Sequence, residues 1–249
     1  RIKEDYLRVL RFFRFFAQYG KGRPDAEGLK ASARAVSNLY QLSAERIWKE
    51  MRLLFAANDP SRALLWMRTT GVLSEVLPES EKWGIDAMPG LLAMENENGW
   101  AADPLLRLAA IVPMRFEAMG ELAKRLKLSN QDADALKAMA MVEVPALDVD
   151  EKGINPLLYY EDLEALSRRL KLLIGAASGR GDESELAKRQ IQLIWTLSFQ
   201  KPDFPLKGQD LLDHNFSAGP ELGDKLKELE IAWIESDFAL TKPELLALL

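Results

Sequence analysis

The chain has 249 residues, of which 48% are hydrophobic and 29% are charged, which is enough apolar material for one or two cores and roughly one to three domains. It has no cysteine and one histidine, which excludes disulfides, thiolate metal sites and any site that needs two histidine ligands. No apolar run reaches the ~18 residues of a membrane span, and no signal segment opens the chain. Because it starts at Arg1 without a methionine, it reads as the middle of a longer chain.

Charge is unevenly distributed along the sequence. The net charge is −5, but residues 1–70 hold 14 basic and 7 acidic side chains, a net of +7. The other 179 residues hold 19 basic and 31 acidic side chains, a net of −12. A basic block of this kind indicates either an anionic partner at one end of the molecule or an ordinary solvated face.

Apolar residues recur at helical spacing from end to end, and almost no segment alternates with period two. The sequence therefore predicts an all-α fold, an irregular multi-helix array without a sheet. Gly and Pro residues, and a polar linker over 143–153, separate the helices. In chain order, helices are predicted at residues 4–19, 43–55, 62–70, 104–110, 130–142, 159–175, 183–199, 221–233 and 243–249.

The first helix carries the most informative pattern. Asp5, Arg8, Arg11 and Arg14 follow one another at intervals of three residues, so they share one face, while Phe and Leu crowd the opposite side. A surface stripe would explain the arginines. A carboxylate one turn from a guanidinium can also read a nucleobase edge, because Asp5 accepts from an exocyclic amine and Arg8 donates to the adjacent ring nitrogen. Cytosine and adenine offer that pair of groups, whereas uracil and guanine do not.

Residues 4–8, Glu-Asp-Tyr-Leu-Arg, resemble the EDxxR motif of class II tRNA nucleotidyltransferases, the CCA-adding enzymes. The wider run over residues 1–15 is similar to the start of that family's neck domain. Residues 42–50, Leu-Ser-Ala-Glu-Arg-Ile-Trp-Lys-Glu, resemble the LSxERIxxE element that buttresses the neck, and we assign them a structural role. The runs 63–79 and 207–226 are similar to the family's body and tail.

The resemblance covers nearly the whole chain, looks closest to the alphaproteobacterial type, and implies three parts. These are a neck over 1–58 with the nucleotide-selecting helix, a helical body over 59–145, and a helical tail over 146–249 that contacts the tRNA elbow. It implies that Asp5 and Arg8 select CTP and then ATP, with Glu4 fixing Arg8 or the helix start and Arg11 assisting. In the tail, Lys207, Gly219 and Lys225 are the candidate tRNA contacts, because Gly219 precedes Pro220 at a helix start that favours an anion.

The same resemblance implies that catalysis belongs to a head domain that carries Gly-Ser and Asp-x-Asp and binds Mg²⁺. The pairs Asp132/Asp134 and Asp148/Asp150 have that spacing without the Gly-Ser, and we interpret them as helix-start and linker acids. We therefore expect the catalytic Mg²⁺ outside this chain, no catalytic or metal-binding residue within it, and no activity from it alone. A cytoplasmic protein with tRNA, CTP and ATP as partners is implied, with no membrane.

Two alternatives stay open at this level. Bacterial poly(A) polymerases share a variant of the neck motif, although they have Pro at the position of Tyr6 and a strongly basic tail, whereas this tail is acidic. A head-less helical RNA-binding or scaffold protein is the other alternative. An upstream reading frame with Gly-Ser and Asp-x-Asp would exclude it.

Overall fold

A computed structural model describes residues 4–81 and 85–249, and every regular element within these two ranges is helical, as predicted. Short 3-10 helices lie at Val36–Gln41 and Pro78–Ser80. The α-helices are α1 (Leu7–Tyr19), α2 (Ala26–Ala35), α3 (Ala44–Phe55), α4 (Ser61–Thr69), α5 (Val72–Val76), α6 (Ala87–Asn98), α7 (Pro104–Ala109), α8 (Phe116–Leu126), α9 (Asn130–Met141), α10 (Asn155–Tyr160), α11 (Leu163–Arg180), α12 (Glu183–Ser198), α13 (Gly208–Leu212), α14 (Pro220–Glu235) and α15 (Lys242–Leu246).

Short polar side chains fix where many of these helices begin. Each accepts a hydrogen bond from a free backbone N–H of the first turn, which stabilises a helix by about 1 kcal/mol. Left-handed residues end others, such as Gly71 after α4 with φ 78°. The capping side chains belong to Asp25, Ser43, Asp103, Ser129, Asp162 and Asp182.

Several α-helices differ from the sequence-based expectation. Helices α2, α5, α6, α8 and α13 were not predicted, and the helix predicted over 159–175 is α10 and α11 separated at Glu161 and Asp162. The break arises because the Asp162 side chain accepts from the N–H groups of Glu164 and Ala165 and so starts a new helix. Helix α6 tolerates Pro89 because a proline in the first turn loses no intrahelical hydrogen bond.

Three clusters of buried apolar side chains hold the helices together. The largest runs from Leu7 in α1 to Met139 in α9, and it is continuous across residue 58. The second joins α10, α11 and α12 to Met94 of α6. The third gathers Tyr159, Trp233 and the end of the chain. The three-part division at residues 58 and 145 stays a prediction.

Helices α6 and α11 cross with their backbones in contact. A Cβ atom built on Gly90 would lie 2.2 Å from the carbonyl oxygen of Gly175 and 2.7 Å from the nitrogen of Gly179. Only glycine fits at Gly90, because the first atom of any larger side chain would occupy the space of the neighbouring backbone. This crossing fixes the second half of the chain against the first.

A buried ion pair joins the end of α3 to α6 and α7. The Arg107 side chain is 3% exposed and donates through Nε to Glu95, which is 4% exposed. The NH1 nitrogen of Arg107 donates to the backbone carbonyls of Phe55 and Ala57, where α3 ends. Arg107 therefore satisfies carbonyl groups that the last turn of a helix leaves without partners.

None of the helices in the described ranges is both long enough and apolar enough to cross a membrane.

Candidate functional site

Helix α1 buries one side in the main core and leaves its charged side accessible. Leu7, Val9, Leu10 and Phe13 are buried, as the sequence pattern predicts. Phe15 is an exception, because 49% of its surface is exposed, with the Arg14 guanidinium 4.4 Å from its ring centroid. The buried row anchors the helix, so the charged residues are presented by a rigid element.

Asp5 lies at the start of α1 and is held from two directions. Its Oδ1 accepts from the backbone N–H of Leu7 at 3.1 Å. The Arg46 guanidinium of α3 reaches across and donates to Oδ1 and Oδ2 at 3.0 and 3.1 Å. The Leu7 hydrogen bond, and after it the Arg46 charge, lower the pKa of the Asp5 carboxyl below its ordinary value. Asp5 is therefore an ionised acceptor at neutral pH.

Arg8 lies one turn after Asp5 and has a partner of its own. Its NH1 nitrogen is 3.3 Å from Oε2 of Glu4, and both side chains are substantially exposed, at 43% and 68%. The sequence analysis gave Glu4 two possible roles, fixing Arg8 or fixing the helix start, and this contact is with Arg8. Asp5 precedes α1 and Arg8 lies in its first turn, and the two side chains contact different partners. Arg1 and Ile2, which the resemblance includes, lie outside the described residues.

The next two arginines share one buried carboxylate. Glu50 of α3 is 3% exposed, and its two oxygens lie 3.1 Å from Nε of Arg11 and 3.2 Å from Nε of Arg14. Two cations against one anion leave an excess of positive charge, and the Arg11 side chain is 47% exposed. The sequence analysis gave residues 42–50 a structural role without naming partners. In the structure, Arg46 contacts Asp5, and Glu50 contacts Arg11 and Arg14 of α1.

The tail candidates lie at one end of the second half of the chain. Helix α13 packs on α14, where a Cβ on Gly208 would lie 3.5 Å from Leu222. Lys207 precedes α13, and its backbone N–H donates to Asp210 at 2.8 Å. The structure therefore brings Lys207 close to the helix that contains Lys225.

The start of α14 is open to solvent. Gly219 precedes this helix in extended conformation, and a Cβ there would meet nothing within 4 Å. The Lys225 side chain is 20% exposed and 3.0 Å from Glu228. Nearby, Asn215 adopts the left-handed conformation with φ 68°, as its tolerance for that region predicts. His214 is an exposed loop residue.

Within residues 4–81 and 85–249, no group of three or more His, Cys, Asp and Glu side chains is arranged to hold a metal ion. Asp132 lies in the first turn of α9 and pairs with Arg52 at 3.6 Å, and Asp148 lies in the segment between α9 and α10. Neither aspartate contributes to a cluster of acids.

Comparison with known proteins gives matches along the whole chain. A family model described as the probable RNA- and SrmB-binding site of polymerase A matches residues 24–83. The mitochondrial CCA tRNA nucleotidyltransferase 1 of Mus musculus is 27% identical over 99% of this chain and 55% of its own length. The CCA-adding enzyme of Staphylococcus epidermidis is 24% identical over 99% of this chain and 60% of its own length.

Solved structures show the same fold. The Thermotoga maritima CCA-adding enzyme complexed with tRNA aligns with a TM-score of 0.64 at 16% identity, over 98% of this chain and 60% of that one. A CCA-adding enzyme solved with ATP aligns with a TM-score of 0.63 over 99% of this chain. The likeness thus spans the helical array from α1 to α15.

The chain is similar over 99% of its length to a CCA tRNA nucleotidyltransferase and to a CCA-adding enzyme, and over residues 24–83 to the polymerase A family model. The chain spans 55% to 60% of their length.

Proposed function

We propose that this chain is the nucleotide-selecting and tRNA-holding region of a CCA-adding tRNA nucleotidyltransferase. The observation that carries the proposal is that relatives with this name align over 99% of the chain, including the helix with Asp5 and Arg8. The proposal assigns the complete protein to the nucleotidyltransferases. In this proposal, the chain selects the nucleotide and binds the RNA.

In this proposal, Asp5 and Arg8 read the Watson–Crick edge of the incoming base. The ionised Asp5 carboxylate accepts from the exocyclic amine of CTP or ATP, and Arg8 donates to the ring nitrogen beside it. UTP and GTP place a carbonyl and an N–H at these positions, so each would set acceptor against acceptor and donor against donor. Glu4 keeps the Arg8 guanidinium oriented, which reduces the side-chain entropy lost on binding.

Arg46 and Glu50 of α3 orient the charged side chains at the start of α1 that read the base in this proposal. Arg46 fixes the Asp5 carboxylate, and the buried Glu50 fixes Arg11 and Arg14. The positive charge left over around Glu50 gives Arg11 the role of assisting with the base or the phosphates. Because Glu50 is 3% exposed, its ion pairs are screened far less by salt than pairs on the surface.

The tail holds the RNA in the same proposal. Lys207 and Lys225 contact phosphates, and the N–H groups at the start of α14 bind a further phosphate because Gly219 leaves them uncovered. In the same proposal, the catalytic Mg²⁺ ions are bound by residues outside these 249. We propose a cytoplasmic location, which a chain without cysteine permits.

Binding to a tRNA that lacks its CCA end tests the RNA half of the proposal. Fluorescence anisotropy across a salt series should give salt-dependent affinity that is higher for folded tRNA than for unstructured RNA of equal length. Lys225→Ala should reduce the salt slope by about one, because one phosphate contact is lost. Lys30→Ala, which removes an equally charged side chain paired with Glu27 in the neck, should leave the slope unchanged. Equal affinity for both RNAs would argue against the tRNA-holding role.

Nucleotide titrations test the other half independently. NMR shifts of the first turns of α1 should respond to CTP and ATP and far less to UTP and GTP. Arg8→Ala should abolish this difference, while Arg34→Ala on the exposed side of α2 should retain it. If Arg8→Ala kept the preference for CTP and ATP over UTP and GTP, Arg8 would not read the base. The tRNA-binding result would be unaffected by that outcome.

A poly(A) polymerase region is the second candidate, because the matching family model carries a polymerase A description. The two candidates differ in product length. When the chain is joined to the head of a CCA-adding relative, addition should stop after three nucleotides. A longer ladder of adenylates would favour the poly(A) polymerase.

A further inference from the structure

A cleft of about 530 Å³ lies where α3, α7, α9 and α11 meet, and the base-reading residues of α1 do not line it. This volume falls within the range of roughly 300–1,000 Å³ that is usual for small-molecule sites. Six of the side chains that line the cleft are an indole, three cations, a carboxylate and a hydroxyl, which belong to Trp100, Arg52, Arg168, Lys171, Asp132 and Ser167.

The cleft is separate from the site around Asp5. Arg46 of α3 donates to Asp5 at 3.0 Å, whereas Arg52 of the same helix lies 3.6 Å from Oδ2 of Asp132. Six residues separate the two arginines, which places them about 9 Å apart along the helix axis and about 120° apart around it. A ligand in the cleft would therefore not occupy the position of a base read by Asp5 and Arg8.

Trp100 gives the cleft an aromatic surface. Gly99 ends α6 in the left-handed conformation with φ 65°, and the backbone N–H of Trp100 then donates to the carbonyl of Glu95 at 2.9 Å. The indole packs against the second apolar cluster and remains partly exposed, with Nζ of Lys171 5.1 Å from the ring centroid. A fixed, partly exposed indole is a surface on which a nucleobase can stack.

Lys171 is the cation that the cleft leaves available. Within residues 4–81 and 85–249, no carboxylate lies within 4 Å of its ammonium group. Arg168 of the same helix is already engaged, because its guanidinium lies 3.3 Å from Asp103 and 3.0 Å from Glu164. A lysine beside an aromatic ring and without an acidic partner suits the phosphate of a ligand that stacks on that ring.

Two shielded polar side chains offer hydrogen bonds on the same cleft. The Asp132 side chain is 12% exposed, and its distance of 3.6 Å from Arg52 is too long for a hydrogen bond. Ser167 is 8% exposed, and its hydroxyl makes no hydrogen bond to another described residue. A shielded carboxylate that accepts few hydrogen bonds from the protein can accept them from the hydroxyl groups of a ribose.

We propose that this cleft binds a ribonucleotide, with the base on Trp100, the phosphate at Lys171 and the ribose hydroxyls at Asp132. The ribonucleotide is either a free nucleoside monophosphate or one nucleotide of an RNA, since both present the same three groups. Stacking does not read the edge of a base, so adenine and guanine bind alike, in contrast to the selection proposed for α1. The inference does not depend on the proposed function.

Titration of the chain with AMP and with GMP tests the site, followed by the indole N–H signals in NMR. Trp100→Phe identifies the Trp100 signal. We expect both nucleotides to shift it, with a Kd of about 1 mM or tighter. Lys171→Ala should weaken AMP binding at least about fivefold, because a charged contact to phosphate is lost. Lys137→Ala removes a lysine of α9 that does not line the cleft, and should leave the Kd unchanged.

Two outcomes of this titration would overturn the proposal. One is a Trp100 signal that does not move at about 10 mM AMP, ten times the expected Kd. The other is an equal loss of affinity in Lys171→Ala and Lys137→Ala. A response of α1 to AMP without a response of Trp100 would also overturn it, while leaving the base-reading role of Asp5 and Arg8 intact.

Deoxyribonucleotides test the role of Asp132. The parent chain should bind 2′-deoxy-AMP about fivefold more weakly than AMP, because one hydrogen bond is lost. Asp132→Ala should bind the two alike, whereas Asp134→Ala, which removes a carboxylate that is 76% exposed on the same helix, should keep the preference. Equal binding of AMP and 2′-deoxy-AMP by the parent chain would refute the assignment of the cleft to ribonucleotides.

A single-stranded RNA of five adenylates distinguishes the two sources of the ligand. If it shifts the Trp100 signal at a lower concentration than AMP does, the cleft takes a nucleotide of an RNA. If AMP alone shifts the signal, the cleft takes a free nucleotide.

Discussion

Replacing Gly90 with alanine should destabilise the protein through one contact, the crossing of α6 and α11. The new Cβ would lie 2.2, 2.7 and 2.9 Å from three backbone atoms of Gly175 and Gly179, none of which can rotate away. Overpacking of this kind costs about 1–3 kcal/mol or more, while alanine regains up to about 1 kcal/mol of helix propensity. We expect a net loss of about 2 kcal/mol, because the clash is with backbone on every side.

Gly179→Ala provides the matched comparison at the same crossing. Its Cβ would lie 3.8 Å from the nearest atom of α6, which is an ordinary contact. This variant should gain up to about 1 kcal/mol from helix propensity. In a chain of this size, 1 kcal/mol corresponds to roughly 2–4 °C in Tm.

Calorimetry and urea unfolding followed by circular dichroism would measure both variants. We expect Tm to fall by roughly 4–8 °C for Gly90→Ala and to stay level or rise slightly for Gly179→Ala. Equal Tm values for Gly90→Ala and the parent chain would refute the close-contact reasoning. So would a Gly179→Ala variant as unstable as Gly90→Ala.

Three further predictions concern charged and polar contacts. Arg107→Ala should cost about 3–5 kcal/mol in urea unfolding, because it leaves a buried carboxylate and two helix-end carbonyls without their donor. Tyr159 should titrate with a pKa of about 12, because burial and then the hydrogen bond to Glu230 disfavour the phenolate. The contribution of this group to folding stability is therefore complete below pH ~10 and declines as pH rises through 12. Ultraviolet titration would measure the pKa, and pH-dependent unfolding would measure the loss of stability. Arg46→Ala should raise the pKa of the Asp5 carboxyl, yet leave it below its ordinary value because the Leu7 hydrogen bond remains, as carbon NMR would show.

Each of these predictions has a control within the chain. Arg168→Ala removes ion pairs at a side chain that is 27% exposed and should cost under about 1 kcal/mol. Tyr159→Phe should reduce the amplitude of the late phenolate transition, to which Tyr160, whose pKa is also raised by burial, still contributes. Arg52 lies elsewhere on α3 and pairs with Asp132, so Arg52→Ala should not move the Asp5 pKa. An unstable Arg168→Ala, an unchanged late transition in Tyr159→Phe, or a shift of the Asp5 pKa in Arg52→Ala would contradict the respective argument.

The Asp5 contribution to stability has a definite sign. Its folded-state pKa is lowered, so its stabilisation is present above the unfolded value near 3.9 and is lost as pH falls through the folded value. The effect is small, because the Asp5 and Arg46 side chains are 31% and 49% exposed. Acid unfolding therefore should not begin at this pair.

Local signals allowed the helical class and many boundaries to be predicted from sequence. Ser43 and Ser129 cap the helices that were predicted over 43–55 and 130–142, because a hydroxyl that accepts a first-turn N–H acts within three residues. Helix α6 could not be predicted, because Pro89 and Gly90 read as breakers. Its glycine is explained by α11, which lies about eighty residues away in sequence.

Only part of the candidate site could be predicted from sequence, because several of its contacts join residues far apart in the chain. Glu4 and Arg8 are four residues apart and form an ion pair, a contact that their spacing allows to be predicted. A shared face for Asp5 and Arg8 stays a prediction. The contacts of Arg46 with Asp5, and of Glu50 with Arg11, join side chains 41 and 39 residues apart. Spacing within α3 gave no information on such partners.

The buried Arg107 joins two segments that the sequence analysis assigned to separate parts, the neck over 1–58 and the body over 59–145. Five hydrogen bonds join it to Glu95 and to the carbonyls that end α3, all of them away from water. Helix α3, whose Arg46 contacts Asp5, therefore cannot move relative to α6 and α7 without breaking these hydrogen bonds. Helices α3, α6 and α7 therefore move as one unit, so a displacement of α3 carries the other two helices with it.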